Sequence, residues 1–241
     1  GSNNKTISRA KEYCATFYCT IAQLALEMLL DGTMDQLDGI ITPTICDTLR
    51  PMSQNYRVAM HDKMAVIFLA HPQNRFEPFG LEFVAQYNHV KSELEKVAGH
   101  EITNDAIQDA IKVFNESRAV RREFVKLAND HCDVITPTKR SAVLKAYWFM
   151  EKPAYTAKLK ELNEELKKLP VCDWKGTKVV TSGIICDNPN LLAAFEENNI
   201  AIAADDVAHE SRAFRVDVPF NPDPIMALAE QFAAQDYDVL L

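Results

Sequence analysis

Glycine is scarce in this chain of 241 residues, with seven at Gly1, Gly32, Gly39, Gly80, Gly99, Gly176 and Gly183. No two are spaced as a G-x-G-x-x-G turn or a P-loop requires, so the two common phosphate-cradling loops are excluded. Long apolar runs are missing as well. None approaches the roughly 20 residues that span a bilayer, and no signal-peptide pattern opens the chain. Positive charge is in deficit: 26 Lys and Arg against 34 Asp and Glu give a net charge of −8. An acidic chain of pI 5.3 has no general pull on phosphate backbones, so neither nucleic acid nor membrane is an expected partner. Cysteine is too sparse for a disulfide scaffold, with six in the whole chain. None forms a C-x2-C pair, which argues against a zinc ribbon. Unpaired cysteines, no signal and an acidic balance fit a cytoplasmic protein of bacterial type.

What is present is globular in composition: 47% hydrophobic and 25% charged residues. The length allows one large domain or two to three small ones. Gly1-Ser2-Asn3 resembles a tag remnant and is set aside. Tyr237-Asp238-Val239-Leu240-Leu241 reads as a strand just beginning, so a piece of a longer protein is expected.

Three zones follow along the chain. In 1–74, Phe17, Ile21, Leu24, Ala25, Met28 and Leu29 repeat at helical spacing, predicting a helix over Thr16–Leu30 that ends at Asp31-Gly32. Asp38–Pro43 reads as a short strand, Thr48–Met60 as a helix with Pro51 in its first turn, and Met64–Ala70 as a second strand. That alternation implies a parallel α/β unit. The zone 75–169 is nearly all helix. Its longest stripe runs from Ala106 through Phe114 and Val120 to Leu127 with no strand signal. Thr138–Met150 and Lys152–Leu169 complete it, the last with a mixed-charge solvated face. The zone 170–241 returns to α/β, with strands at Lys178–Thr181 and Ile200–Ala203 around a helix that starts at Asp187-Asn188-Pro189. Pro222–Ala234 is a further helix. The fold class is therefore α/β, with parallel-sheet domains at both ends and a helical domain between them.

Ligands of open α/β sheets sit at the carboxyl ends of strands. Cys46 lies at such an end, just after Pro43, and reads either as a small buried hydrophobe or as a ligand or reactive thiol. Cys186 follows the Lys178–Thr181 strand and has the same two readings. Cys132 and Cys172 read as structural. The six histidines never pair at ligand spacing. Asp205-Asp206 and Glu210-Ser211-Arg212 follow a strand and read as loop capping with an Arg salt bridge, or as polarity for a substrate or cofactor.

Several segments resemble a known family. Phe17-Tyr18-Cys19-Thr20, Leu37-Asp38-Gly39-Ile40-Ile41-Thr42-Pro43 and Cys46-Asp47-Thr48-Leu49 are similar to the 2-hydroxyacyl-CoA dehydratase D-component family, which includes benzoyl-CoA reductase subunits. His71-Pro72-Gln73-Asn74-Arg75 and Ala204–Arg212 resemble the β-type dehydratase subunit more specifically. The resemblance covers nearly the whole chain. It implies two Rossmann-like domains, both truncated here, flanking a helical one. It also implies a [4Fe-4S] cluster held by three cysteines. Two of these map onto Cys19 and Cys46, and the third is expected beyond Leu241 in a Phe-Cys-Asp-Pro-Glu motif. Cys14 and Cys186 match no ligand position of the family pattern. Thiolates suit such clusters because soft donors match iron bridged by sulfide. The implied activity is a hydro-lyase in which an ATP-dependent iron–sulfur activator protein delivers one electron. The thioester carbonyl of a 2-hydroxyacyl-CoA becomes a ketyl radical anion, which expels the hydroxyl group. The heterodimer partner is an α-type subunit, which holds the substrate, while the β-type cluster stores or relays the electron. The alternatives are a benzoyl-CoA-reductase-type subunit and a cluster-free α/β binding module, in which Cys19 and Cys46 are core residues.

Overall fold

A computed structural model of the chain describes residues 6–61, 63–72 and 79–234. It divides into two compact units, Gly1–Thr103 and Asn104–Leu241. The first holds α1 (Thr20–Leu30), β1 (Gly39–Pro43), α2 (Leu49–Ala59), β2 (Ala65–Leu69) and α3 (Phe79–Ala98). The second holds α4 (Asn104–Asp130), α5 (Pro137–Ala146), α6 (Lys152–Lys167), β3 (Thr177–Gly183), α7 (Pro189–Glu197), β4 (Ile200–Val207) and α8 (Pro224–Ala234). The mixed α/β class expected from the sequence is present.

Each unit contains one parallel strand pair with a crossover helix. β1 and β2 pair from Gly39↔Ala65 to Pro43↔Leu69, with α2 between them in the chain. β3 and β4 pair from Thr177↔Ile200 to Gly183↔Val207 across α7, with an irregularity at Val179/Val180. Parallel pairing needs such a crossover because a tight turn returns the chain antiparallel. Gly176 precedes β3 where a Cβ would meet the Asn199 carbonyl oxygen at 2.0 Å, so no larger residue fits against the β4 entrance.

The first unit packs Ala22, Leu26 and Leu29 of α1 against Met52, Tyr56 and Met60 of the second helix region. The second packs Val120, Phe124 and Ala128 of α4 against Leu144, Tyr155, Leu159, Leu166 and Phe214. The α4 stripe is the one expected from the sequence, and no strand interrupts it. Asn115 on α4 pins the 215–221 segment by accepting from the Val218 N–H at 2.9 Å and donating to the Val218 carbonyl at 2.8 Å.

Two expected helices differ by a full turn at one end in the structure. α1 starts at Thr20 rather than Thr16, because Cys19 is its extended N-cap and the Gln23 amide takes the carbonyls of Thr16 and Tyr18. α5 ends at Ala146 rather than Met150, where Trp148 and Phe149 close tighter turns onto Lys145 and Ala146. The expected strand at 237–241 and the segment Gln73–Arg75 lie outside the described residues. No helix among the described residues is long and apolar enough to cross a membrane.

Candidate functional site

The carboxyl edge of the first strand pair is closed by local hydrogen bonds. The Thr44 N–H donates to the Leu69 carbonyl at 3.0 Å. The His71 N–H donates to Thr44 Oγ1 at 2.8 Å, so the exits of β1 and β2 are tied together. The His71 ring lies 5.7 Å from Phe83, and burial lowers its pKa. Cys46 follows two residues after Thr44, half-buried, and its carbonyl accepts from the Arg50 N–H at the head of α2.

Cys19 stands at the head of α1, the helix that precedes β1 in the chain. Cys19 caps that head: its Sγ accepts from the Ala22 N–H at 3.5 Å, and the residue is exposed. Beside the two cysteines in sequence, Phe17 is 83%, Ile21 56% and Ile45 51% exposed.

Beneath the turn that carries Cys19, Ala22 and Tyr56 are buried. The Tyr56 hydroxyl donates to the Ala22 carbonyl at 3.2 Å. Burial pushes the Tyr56 phenol up to about 12, with smaller contributions from Cys19 and Cys14, so it stays a neutral donor. Cys14 is not on the edge. Its thiol donates to the Ala10 carbonyl at 3.0 Å inside the core, and burial pushes its pKa up. Among the described residues no three His, Cys, Asp or Glu side chains form a group able to hold a metal ion. Cys19 and Cys46 are two free thiols, one capping α1 and the other three residues ahead of α2. As soft donors they fit part of an iron–sulfur ligand set.

The carboxyl edge of β3 and β4 is different in kind. Arg140 of α5, 3% exposed, donates through one guanidinium nitrogen to Asp205 and through another to Glu210, forming a buried triad. Asp205 also accepts from the N–H groups of Val207 and Ser211 at 3.1 and 2.9 Å. Asp206 is held by Arg212 and Arg215, which keep its carboxyl well below the usual range. The loop-capping and salt-bridge reading of this segment therefore holds. Sequence reasoning missed Arg140, which lies 65 residues from one partner and 70 from the other, with no local pattern to mark it. Cys186 is half-buried near the triad, and burial pushes its thiol up, with Glu210 adding to the effect and Arg140 opposing it. His209 stacks on Trp148 at 4.4 Å, and burial lowers its pKa. Cys132 is buried and Cys172 half-buried, in agreement with a structural reading.

The fold defines an α/β protein with one parallel strand pair in each of two units. Residues 1–238 match the family described as "2-hydroxyglutaryl-CoA dehydratase, D-component". The chain belongs to that family. It is 60% identical, over its whole length, to the (R)-2-hydroxyglutaryl-CoA dehydratase subunit beta of Acidaminococcus fermentans, covering 64% of that protein. It is 40% identical over its whole length to the (R)-phenyllactyl-CoA dehydratase beta subunit of Clostridium sporogenes, again covering 64%. A benzoyl-CoA reductase subunit of Thauera aromatica is more distant, at 25% identity over 96% of the chain and 61% of that protein. The chain thus spans somewhat less than two thirds of the length of these curated relatives.

Proposed function

We propose that the chain is part of the β-type subunit of an ATP-activated, iron–sulfur 2-hydroxyacyl-CoA dehydratase, a cytoplasmic hydro-lyase. The observation that carries this reading is the family match over residues 1–238, in a chain that keeps free thiols at Cys19 and Cys46 just ahead of α1 and α2. Cys19 and Cys46 hold a [4Fe-4S] cluster together with a third cysteine beyond Leu241. When bound, the cluster supplies single-electron storage or relay. The chain's own part is to present two thiolates just ahead of α1 and α2, with Phe17, Ile21 and Ile45 beside them in sequence. An α-type subunit is the heterodimer partner and binds the 2-hydroxyacyl-CoA, and an ATP-dependent iron–sulfur activator delivers the electron. In the whole protein, 75–169 forms a helical domain between two α/β domains. A benzoyl-CoA-reductase-type subunit is the weaker reading, since identity to the reductase subunit is 25% against 40% and 60% to the dehydratase subunits.

The test uses the full-length subunit with its α-type partner and activator, reconstituted without oxygen. Cys19→Ser and Cys46→Ser each lower iron and sulfide from about four per subunit to near zero and abolish enoyl-CoA formation. A full cluster in both variants overturns the ligand reading. Electron consumption separates the two enzyme types: a dehydration has no net redox change, so electrons are needed only catalytically. One-to-one consumption of electron pairs with product overturns the dehydratase in favour of a reductase.

A further inference from the structure

The turn that carries Cys19 is irregular, and two buried polar side chains hold it. Gln23 sits on the core-facing side of α1 with 6% exposure, where an apolar residue is the default. Its Nε2 donates to the Tyr18 carbonyl at 2.6 Å and the Thr16 carbonyl at 3.3 Å, on the two sides of Phe17. The next residue back, Ala22, is held from α2. The Tyr56 hydroxyl, in a residue 2% exposed, donates to the Ala22 carbonyl, and the Ala22 N–H donates to Cys19 Sγ. Leu or Met at 23 and Phe at 56 would fill the same space without polar atoms to satisfy. What the amide and the phenol add is the fixed geometry of residues 16–22.

We infer that Gln23 and Tyr56 are positioning residues that hold the 16–22 turn in one conformation and so fix the direction in which Cys19 presents its sulfur. The bracket acts from both sides. Gln23 fixes the two carbonyls before Cys19, and Tyr56 fixes the helix turn whose N–H meets the thiol. A ligand held this way returns to the same position after each metal–sulfur bond breaks, which slows metal loss. This inference rests on Cys19 being a cluster ligand, and its test separates the two ideas.

The test uses the full-length subunit, loaded with cluster without oxygen, as wild type and as Gln23→Met, Tyr56→Phe and Thr33→Val. Thr33 lies just past the far end of α1 and reports the loss of a hydroxyl away from the turn. Iron release to a ferrous chelator is expected to be about tenfold faster in Gln23→Met and in Tyr56→Phe, the rate equivalent of one hydrogen bond. The electron paramagnetic resonance spectrum of the reduced cluster shifts in both, and Thr33→Val behaves as wild type. Unchanged release and an unchanged spectrum in both bracket variants overturn the inference. If Cys19→Ser still loads a full cluster, the ligand reading fails instead. Hydrogen exchange of amides 16–22 in the metal-free protein then decides the bracket: faster exchange in Gln23→Met and Tyr56→Phe upholds it, and wild-type exchange overturns it.

Discussion

The two strand edges share one plan and are finished in opposite ways. Each unit has a parallel pair, a crossover helix and a loop at the carboxyl edge, where α/β folds place their ligands. In the second unit that edge is filled by the protein's own charges: Arg140 with Asp205 and Glu210, Arg212 and Arg215 with Asp206, and Lys145 with Asp187. Among the described residues of the first unit, the strand exits carry Cys46 and backbone hydrogen bonds, and Gln23 and Tyr56 point inward to hold the turn before α1. An edge whose charges are paired internally has little left to offer a ligand. Under the proposed function, the thiols of the first unit are instead left for a metal group.

Removing Arg140 is the strongest way to break this comparison. Arg140→Ala leaves Asp205 and Glu210 buried without their cation, which costs about 3–5 kcal/mol. Both tryptophans, Trp148 and Trp174, lie in the second unit, so their fluorescence during urea unfolding follows that unit. The triple variant Arg140→Met, Asp205→Asn, Glu210→Gln removes all three charges while keeping an acceptor for Val207 and Ser211, and recovers most of the loss. A loss under about 1 kcal/mol in Arg140→Ala would mean that water reaches the triad and that the edge is open to solvent.

Two buried glutamates sharpen the contrast through pH. Burial alone would raise Glu27 of the first unit, but the N–H groups of Ala10 and Ser8 and the Ser8 hydroxyl outweigh it, and its pKa is lowered. Burial raises Glu210 of the second unit, and Arg140 only partly offsets it. The signs are therefore opposite. Glu27 contributes stability above the ordinary glutamate range and loses it as pH falls through its lowered value. The Glu210 contribution is full below that range and is lost as pH rises through its raised value. Between pH 7 and 3, wild type should lose stability relative to Glu27→Gln as the solution is acidified, read by hydrogen exchange of α1. It should gain relative to Glu210→Gln, read by tryptophan fluorescence. At neutral pH Glu27→Gln costs about 1–3 kcal/mol, since an amide replaces a charged acceptor of several donors. Parallel pH slopes would erase the distinction between the two buried carboxylates.

The parts legible in the sequence were those written in local pattern. Strands, crossover helices and the long α4 stripe follow from apolar spacing, and Cys46 stands at an edge because it follows a strand. The family motif marked Cys19, where spacing alone did not. The parts that were not legible depend on partners distant in sequence. Nothing near Arg140 announces Asp205 or Glu210, and nothing in the α1 stripe shows that Gln23 faces inward and turns its amide back to Thr16 and Tyr18. That back-reach also explains the misplaced start of α1: the apolar repeat continues through Phe17, while the carbonyls of Thr16 and Tyr18 are already bonded to a side chain.

The smallest effect tests why a cysteine occupies position 19. Helix N-caps favour Ser, Thr, Asp and Asn because a side-chain oxygen accepts a short bond from the second or third N–H of the helix. α7 follows that rule: Asn188 accepts from Asn190 and Leu191 at 2.9 and 3.3 Å, and Asn188→Ala should cost about 1 kcal/mol. α1 has the right backbone for such a cap, with Cys19 at φ −61° and ψ 143°, yet its acceptor is a sulfur at 3.5 Å. Sulfur is a weak acceptor. Cys19→Ser therefore replaces a poor cap by a good one and should stabilise the metal-free first unit by a few tenths of a kcal/mol to about 1 kcal/mol. Urea unfolding followed by hydrogen exchange of α1 measures it. A substitution that strengthens the metal-free fold while removing the cluster would show that the thiol is held there for its chemistry, at a small cost in helix stability. A loss of more than about 1 kcal/mol would instead make Cys19 part of the packing, and the cluster-free binding module would become the better reading of this unit.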